Sequence, residues 1–202
     1  MKGPFWEESY MNDDFPTFGV KPDEFIVKYK DLYNKEWNIL DVGCGDGKNS
    51  IYFARRGFKN IDAFDLSENA ILKMNRLLDV KKLKVNTFVG DLTEFEFEKK
   101  YDFVMSFGTL HFVSKEKWKK FIWDAKENTN SGGMHIIQIF TNKVPASPDI
   151  SDFAVGLADE EELKEMYEDW EILDFKSFVF EDEHHGVPKH YHASNKIVAR
   201  KV

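Results

Sequence analysis

Length, composition and charge limit what this chain can be. It has 202 residues, 42% of them hydrophobic and 32% charged, which is ordinary for a globular protein and excludes general disorder. A chain of this length can bury one substantial core, so we expect a single domain over residues 1–202. The formal net charge of −8 argues against a nucleic-acid partner, because phosphate binding needs a basic stripe and the sequence has none.

Targeting and cross-linking signals do not occur in the sequence. The single cysteine excludes an internal disulfide. The start, Met-Lys-Gly-Pro-Phe-Trp-Glu-Glu, lacks the apolar stretch of a signal peptide, and no window reaches the length of a membrane span. We therefore expect a cytoplasmic protein that contacts neither membranes nor nucleic acids and whose partner is a small-molecule substrate.

The first part of the chain predicts an arm followed by a folded body. Residues 1–19 mix aromatic and polar side chains without a clean period, which predicts an N-terminal arm or lid over a body that spans residues 20–202. Pro22 then begins a predicted helix whose apolar face continues to Tyr33. Residues 38–42 form a short apolar strand that leads directly into a glycine-rich stretch.

Strands and helices alternate after the glycines. Predicted helices begin at Asn49 and after the capping residues Ser67 and Ser114. The predicted strands span residues 38–42, 61–64, 84–89, 101–107 and 134–140. Because strand–helix–strand connections are right-handed, this alternation predicts a parallel sheet with helices on both faces.

The C-terminal third departs from that alternation. Residues 141–158 are a long connection without a periodic face, which is typical of a lid or binding loop. Asp159-x-x-Glu162 resembles a capping box for a helix that continues to Trp170. Two strands over residues 171–180 and 193–200 follow without a helix between them, so they should pair as an antiparallel hairpin with a histidine-rich turn.

The glycine-rich stretch carries the strongest chemical signal. A strand that ends in Asp41 is followed by Gly43-x-Gly45-x-Gly47 and then by a helix, an arrangement that brings the polar end of a ligand against backbone N–H groups. The next strand ends in Asp65, at the interval where an acidic side chain accepts hydrogen bonds from ribose hydroxyls. Both a nicotinamide dinucleotide and S-adenosylmethionine fit these two features.

Three details favour S-adenosylmethionine over a dinucleotide. Lys48 stands where the dinucleotide pattern has glycine or alanine. Gly90-Asp91-Leu92 follows the third strand and places another acceptor where an adenine amino group would lie. The paired C-terminal strands are foreign to the dinucleotide-binding topology.

The successive motifs resemble those of class I S-adenosylmethionine-dependent methyltransferases. The matching segments are Leu40-Asp-Val-Gly-Cys-Gly-Asp-Gly47, Asp65-Leu-Ser67, Gly90-Asp91-Leu92 and Ser131-Gly-Gly133. The resemblance implies a Rossmann-like, seven-stranded, mostly parallel sheet with helices on both faces and an antiparallel C-terminal hairpin. It also implies S-adenosylmethionine as the cofactor and S-adenosylhomocysteine as the product. The expected cofactor-binding residues are Trp6, Tyr10, Asp41, Gly43, Cys44, Gly45, Asp65, Leu66, Asp91, Leu92, Ser106 and Phe107.

A narrower resemblance covers almost the whole chain. Asp46-Gly-Lys-Asn-Ser50, Tyr101-Asp-Phe-Val-Met-Ser106, residues 163–170 and Ile197-Val-Ala-Arg-Lys201 are similar to the tellurite-resistance (TehB-like) methyltransferases. That family implies a small acceptor, either a tellurium or selenium oxyanion or a thiol-like nucleophile. The sequence contains no obligatory catalytic base, so a non-catalytic module that binds S-adenosylmethionine or senses a metabolite is the alternative.

Several side chains are candidates for the reaction itself. Methyl transfer needs alignment and exclusion of water, so Trp6, Tyr10 and Phe18 of the arm are expected to close over the methyl group with Phe107 and His111. Simple packing is the alternative for the arm aromatics. His111 follows the fourth strand and could take a proton from a nucleophile or orient an oxyanion, and the alternative is a histidine that caps a helix or satisfies a buried carbonyl. Cys44 is either a nucleophile or a small residue that fills a tight turn.

Four histidines cluster near the C-terminus. His190 and His192 share one strand face, and with His185 they could offer three imidazoles to a metal ion. No fourth ligand is evident, so we expect no metal. We expect instead an anion site for the acceptor, built from His185, Lys189 and His190 in an otherwise acidic protein.

Overall fold

Seven strands form one sheet in a computed structural model, which describes residues 4–184 and 187–202. The strands are β1 (Ile39–Val42), β2 (Ile61–Asp65), β3 (Asn86–Val89), β4 (Tyr101–Phe107), β5 (Thr129–Phe140), β6 (Glu171–His184) and β7 (Val187–Arg200). Their spatial order is β3-β2-β1-β4-β5-β7-β6. Strands β1 to β5 pair in parallel, whereas β7 is antiparallel to both β5 and β6. This confirms the predicted Rossmann-like fold with its antiparallel C-terminal hairpin.

Helices cover both faces of this sheet. They are α1 (Phe5–Tyr10), α2 (Glu24–Lys28), α3 (Lys48–Arg55), α4 (Glu68–Lys81), α5 (Lys115–Glu127) and α6 (Glu162–Glu165), with 3-10 turns at Lys30–Leu32 and Leu110–Phe112. The predicted caps are confirmed, because the hydroxyls of Ser67 and Ser114 accept hydrogen bonds from the N–H groups of Ala70 and Lys117. None of the described helices is long and apolar enough to cross a membrane.

Alternate residues of the central strands belong to two hydrophobic cores. Leu40 of β1 and Val104 of β4 pack in one core with Trp118 of α5. Their chain neighbours Ile39 and Phe103 pack in another core with Phe53 of α3. Because successive side chains of a strand point to opposite faces, the two cores lie on opposite sides of the sheet. The strand ends are therefore held rigidly from both sides.

Two helices are shorter than the sequence predicts. The helix after Pro22 ends at Lys28 and continues only as a 3-10 turn. The Tyr29 hydroxyl at this point donates to the Leu173 carbonyl and the Asp174 carboxylate of β6, each at 3.2 Å. The predicted helix up to Trp170 is a single turn, α6. The buried Lys126 ammonium donates to the Met166 carbonyl at 2.6 Å, and the Trp170 N–H pairs with the Tyr167 carbonyl instead.

Strand boundaries differ in ways that matter for the site. β3 begins two residues later than predicted, and β5 begins at Thr129, five residues before the predicted strand over residues 134–140. β6 and β7 extend through most of the predicted histidine-rich turn. Prediction of that turn over residues 181–192 was therefore wrong, and His190 and His192 lie within β7, paired with Asp182 and Phe180 of β6.

His135 of β5 is a fully buried neutral imidazole that couples stability to pH. Its Nε2 lies 2.8 Å from the Thr129 hydroxyl, which donates to the Ala125 carbonyl and therefore accepts from His135. Its Nδ1 accepts from the Tyr167 hydroxyl at 2.7 Å. Burial, reinforced by the charges of Lys126 and Lys201, lowers the pKa of His135 to about 3.

We expect His135→Gln to reduce the acid sensitivity of folding. The pKa of His135 is lower in the folded chain than in the unfolded one. As the pH falls below about 6.5, this residue therefore binds a proton in the unfolded chain but stays neutral in the folded chain. This linkage should destabilise the parent by about 2 kcal/mol between pH 7.5 and pH 5, and the variant should lack that loss. Urea unfolding at the two pH values measures it, and identical pH dependence in parent and variant would contradict the assignment.

Candidate functional site

A cavity of about 840 Å³ lies at the carboxyl edge of the parallel strands. Residues at or just beyond the ends of five neighbouring strands line it, namely Gly43, Asp65, Gly90, Phe107 and Phe140. Open α/β sheets bind ligands at this edge, and the volume is typical of a small-molecule site. The N-terminal arm, the segments that follow the strands, the connection between β5 and α6, and strands β6 and β7 also contribute to the lining.

The glycine bend after β1 allows backbone to approach the ligand. Gly43 and Gly45 have φ angles of +66° and +55°, a left-handed conformation that disfavours other residues. A methyl group on Gly43 would lie 2.1 Å from the Thr109 hydroxyl oxygen, and one on Gly45 would lie 2.9 Å from the Tyr10 hydroxyl oxygen. Glycine at both positions is therefore required by the space as well as by the backbone conformation.

Asp65 is attached directly to this bend. Its Oδ2 accepts a hydrogen bond from the Gly45 N–H at 2.8 Å, and its Oδ1 accepts one from the Ser67 N–H at 2.9 Å. Each carboxylate oxygen has a further lone pair for a ligand. Burial raises the pKa of Asp65, while the two backbone hydrogen bonds favour its charged form. The structure thus brings together the predicted ribose-binding carboxylate and the glycine bend.

Asp41 lies beneath the same bend. It is buried and accepts a hydrogen bond from the Ser50 hydroxyl at 2.7 Å. Burial raises the pKa of Asp41 to about 7, and the neighbouring Asp65 contributes in the same direction. A cationic ligand group in the cavity would favour the ionised form of this carboxyl.

The remaining residues predicted to bind the cofactor also line the cavity, with the exception of Ser106. Asp91 uses Oδ1 to accept from the Thr93 N–H at 2.8 Å and lies on the cavity wall with Leu66, Leu92 and Phe107. Ser106 is fully buried, and its hydroxyl donates to the Val42 carbonyl at 3.1 Å. The structure therefore places Ser106 behind the cavity wall, where it joins β4 to β1.

Cys44 lines the cavity without the features of a nucleophile. Its Sγ lies 3.6 Å from the Gly45 carbonyl oxygen and 3.9 Å from the Met74 sulfur. Burial raises the pKa of the thiol well above its usual value, with further contributions from Asp41 and Asp65. A thiol that stays protonated is a poor nucleophile, which favours the interpretation that Cys44 fills the turn.

The N-terminal arm closes one side of the cavity and contains a helix, α1, that the sequence pattern did not indicate. Tyr10 is buried, and burial together with Asp65 and Asp46 raises the pKa of its hydroxyl well above the usual value. The Trp6 ring packs against Phe112 and Phe153 at centroid distances of 5.0 and 5.9 Å. Trp6, Tyr10 and Phe18 all line the cavity.

A buried ion pair holds the arm in place. The Lys73 ammonium donates to the carbonyls of Ser9 and Phe15 and to the Thr17 hydroxyl, at 3.0, 2.8 and 3.2 Å. It also lies 3.7 Å from the Asp46 carboxylate, which accepts from the Thr17 N–H at 2.7 Å. Lys73 is not among the residues predicted from the sequence, although a lysine on the apolar stripe of α4, between Ala70 and Met74, was the available signal.

His111 lies outside the cavity wall. It is fully buried and stacks on Phe140 at a centroid distance of 4.4 Å. Within the described part of the chain, neither ring nitrogen has a hydrogen-bond partner. Burial, followed by the nearby His192, lowers the pKa of His111 to about 3, so the imidazole is neutral. This arrangement matches neither the predicted general base nor the alternative of an imidazole bonded to a buried carbonyl.

The predicted anion site is not assembled as expected. Lys189 is exposed and pairs with Glu181 at 2.7 Å, whereas His190 is buried, because adjacent residues of β7 point to opposite faces. His185 lies outside the described residues. His190 and His192 do share a face, and their Nε2 atoms lie 3.0 Å apart. Asp149, which the sequence analysis did not single out, joins them from the predicted binding loop.

We expect Lys73→Met to loosen the arm and weaken binding of the expected cofactor. The change leaves the Asp46 carboxylate buried without its ammonium, and it removes the donor that gathers three arm groups. Amide hydrogen exchange over residues 5–18 should become faster, and calorimetry should show an affinity for S-adenosylmethionine reduced roughly tenfold or more.

Arg76→Met is the matched control for that variant. Arg76 also ties α4 to the arm, through an exposed pair with Asp13 at 2.8 Å. Exposed pairs contribute little, so this variant should behave like the parent. If amide hydrogen exchange in the arm and the affinity for S-adenosylmethionine change equally in both variants, Lys73 has no special part in placing the arm.

Comparison with known proteins identifies the family. The family model described as "Tellurite resistance protein TehB" matches residues 24–192. The probable S-adenosyl-L-methionine-dependent methyltransferase TehB of Haemophilus influenzae Rd is 31% identical over 172 residues, which are 75% of this chain and 58% of that protein. A ubiquinone biosynthesis O-methyltransferase of Rickettsia typhi is 30% identical over 58% of this chain and 48% of its own length. The chain thus spans less than two thirds of either relative.

Solved structures agree with the fold. The crystal structure of TehB from Haemophilus influenzae superposes with a TM-score of 0.79 at 26% identity, covering 89% of this chain and 62% of that one. Magnesium protoporphyrin IX methyltransferase from Synechocystis PCC 6803 was solved with bound S-adenosylhomocysteine and superposes with a TM-score of 0.64. The match is 15% identical and covers 88% of this chain and 79% of that one, so it supports the fold alone. On the family match and the TehB relative, the chain belongs to the tellurite resistance protein TehB family.

Proposed function

We propose that this chain transfers the methyl group of S-adenosylmethionine to a small nucleophile, and that the nucleophile is an oxyanion of selenium or tellurium. The relatives' names support the reaction, and the family description supports the acceptor class. The observation that carries the cofactor part is the Asp65 carboxylate, bound to the Gly45 and Ser67 N–H groups on the wall of the cavity.

The cavity suits a cationic cofactor. When bound, S-adenosylmethionine supplies a methyl group on a positively charged sulfonium sulfur. Carboxylates that line the cavity attract such a charge, and Asp41 lies close to the glycine bend where the methionine part is expected. Asp65 would accept hydrogen bonds from the ribose hydroxyls, and Asp91 would face the adenine.

The aromatic residues would align the reactants and exclude water. Trp6 of the arm contacts Phe112 after β4 and Phe153 of the β5–α6 connection, so three separate segments close over the cavity. Methyl transfer is an in-line displacement whose main requirements are alignment and a dry site. Rigid ring contacts meet both requirements.

The proposed acceptor requires no general base from the protein. A lone pair of selenium in selenite forms the new bond to the methyl carbon, and the carbon–sulfur bond breaks with its electron pair moving to sulfur. Selenite dianion and the sulfonium thereby give methylselenonate anion and S-adenosylhomocysteine; selenium is formally oxidised and the sulfonium reduced. No proton moves, which is compatible with the neutral, buried His111.

We expect the purified chain to form S-adenosylhomocysteine and a labelled methylated product when it receives methyl-labelled S-adenosylmethionine and selenite or tellurite. Mass spectrometry of the solution and headspace identifies the product. Trp6→Ala should lower kcat/KM roughly tenfold or more, because it opens the cavity to water. Trp123→Ala is the control, since Trp123 is exposed on α5, away from the cavity.

Two outcomes would contradict the proposal in different ways. Faster turnover of a thiol or a phenol than of either oxyanion would refute the acceptor class and keep the methyltransferase. Cofactor binding without product from any of these acceptors would refute the enzyme and favour the alternative of a non-catalytic sensing module.

A further inference from the structure

We propose that Asp149, His190 and His192 bind a divalent first-row transition-metal ion, such as zinc, on the wall of the cavity. We propose further that an open coordination position of this ion takes an oxygen of the acceptor; this second part rests on the proposed function. The three side chains come from the connection between β5 and α6 and from one face of β7. All three are buried.

The distances between the donor atoms are those of a ligand set. The Nε2 atoms of His190 and His192 lie 3.0 Å apart, and they lie 3.3 and 3.4 Å from Oδ2 of Asp149. Metal–ligand bonds of about 2.0 to 2.2 Å place neighbouring ligand atoms about 3 to 3.5 Å apart. A metal ion therefore fits among these atoms without rearrangement of the side chains.

Hydrogen bonds fix which ring nitrogens face the proposed ion. Nδ1 of His190 lies 2.8 Å from the Pro188 carbonyl oxygen, which can only accept, so this nitrogen carries a hydrogen. The Ser147 hydroxyl donates to Oδ1 of Asp149 at 2.5 Å and therefore accepts from Nδ1 of His192 at 3.2 Å. In both rings, Nε2 is therefore the nitrogen that faces Oδ2 of Asp149.

Such a convergence of nitrogen and oxygen atoms needs a positive charge at its centre. A divalent metal ion would supply that charge at the distances given above. Metal-binding histidines usually donate their second ring N–H to a carbonyl or another polar group, and both histidines do so here. Two histidines and one carboxylate are also a recurrent ligand set of zinc and other first-row metals.

The site is open on the side where an acceptor would bind. Asp149 and His192 line the cavity, and the His192 ring is held against Phe140 and Phe180 at centroid distances of 4.6 and 5.4 Å. Buried protein surrounds the rest of the cluster. Exogenous ligands of a catalytic metal occupy such an open position.

A metal ion would solve an electrostatic problem of the proposed reaction. The described carboxyl residues that line the cavity are Glu7, Asp23, Asp41, Asp46, Asp65, Asp91, Asp149, Asp152 and Asp182. Lys48 and His192 are the basic residues among the described lining. This charge suits a sulfonium cofactor but repels an oxyanion, so a divalent cation at His192 would provide the attraction that the acceptor needs.

This inference revises the prediction of no metal. In the sequence, His190 and His192 are grouped with His185, and no further ligand is evident nearby. The structure supplies Asp149, which lies more than 40 positions earlier in the chain and reaches the histidines only because the β5–α6 connection folds over the cavity.

Titration of the metal-free 202-residue chain with Co²⁺ tests the site directly. We expect one equivalent to bind and to give the visible d–d absorption of a nitrogen- and oxygen-ligated ion, and Zn²⁺ to displace it and raise Tm by about 5 °C or more at saturation. His192→Gln and Asp149→Asn should weaken binding roughly 100-fold or more, with circular dichroism as the check of folding. Asp152→Asn, an exposed cavity carboxylate outside the cluster, should bind as the parent does.

The second step adds selenite to the Co²⁺ protein without cofactor, and a shift of the d–d bands is expected. No binding at about 1 mM metal, or equal binding by the parent and His192→Gln, would overturn the metal site. An unchanged spectrum with selenite would overturn the link to the acceptor. If selenite is still methylated in excess chelator, the link between the metal ion and the acceptor is refuted, but the proposed function stands. If the metal binds and no methylation occurs, only the proposed function is refuted.

Discussion

One backbone hydrogen bond organises the site, the bond from the Gly45 N–H to the Asp65 carboxylate. It joins the bend after β1 to the end of β2, and the second oxygen of the same carboxylate accepts from the Ser67 N–H just before α4. Because Asp65 is thus held from two sides, its remaining lone pairs point in fixed directions. A ligand that carries a pair of hydroxyls meets a preorganised acceptor and not a mobile side chain.

The charges in the cavity favour one reactant over the other. Carboxylates surround the glycine bend, where burial raises the pKa of Asp41 to about 7, and they favour a positive ligand. His192 of β7 also lines the cavity, held against Phe140 and Phe180, but Asp149 lies beside it. A cationic methyl donor therefore meets an attractive charge, whereas an anionic acceptor would need the positive charge of the proposed metal ion.

The arm makes that enclosure depend on a buried charge. Lys73 satisfies carbonyls and a hydroxyl that α1 and the following turn would otherwise leave inside the protein, and Asp46 faces it from the glycine bend. Since the same bend would contact the cofactor, the position of the arm and the occupancy of the cavity are coupled physically. This coupling is a consequence of where one lysine lies on α4.

Local patterns predicted the fold and most of the residues that line the cavity near the glycine bend. The glycine spacing and the carboxylate that ends β2 depend on residues near one another in sequence, and the alternation of strands and helices predicts a parallel sheet. Asp149 and Lys73 act across 40 or more residues, so no local pattern places their partners. Ser106 was misplaced because adjacent strand residues face opposite sides, and the early end of α6 followed from the buried Lys126, which sequence periodicity does not register.

The most direct measurement of the central claim compares Asp65→Asn with Asp62→Asn by calorimetry with S-adenosylhomocysteine. Both residues lie in β2, but Asp62 accepts from the Tyr101 hydroxyl at 2.8 Å and pairs with Lys99 at 2.7 Å, away from the cavity. Loss of the charged acceptor should lower the affinity of Asp65→Asn roughly 10- to 100-fold, with Asp62→Asn unchanged. Parent-like affinity in a folded Asp65→Asn variant would contradict the account.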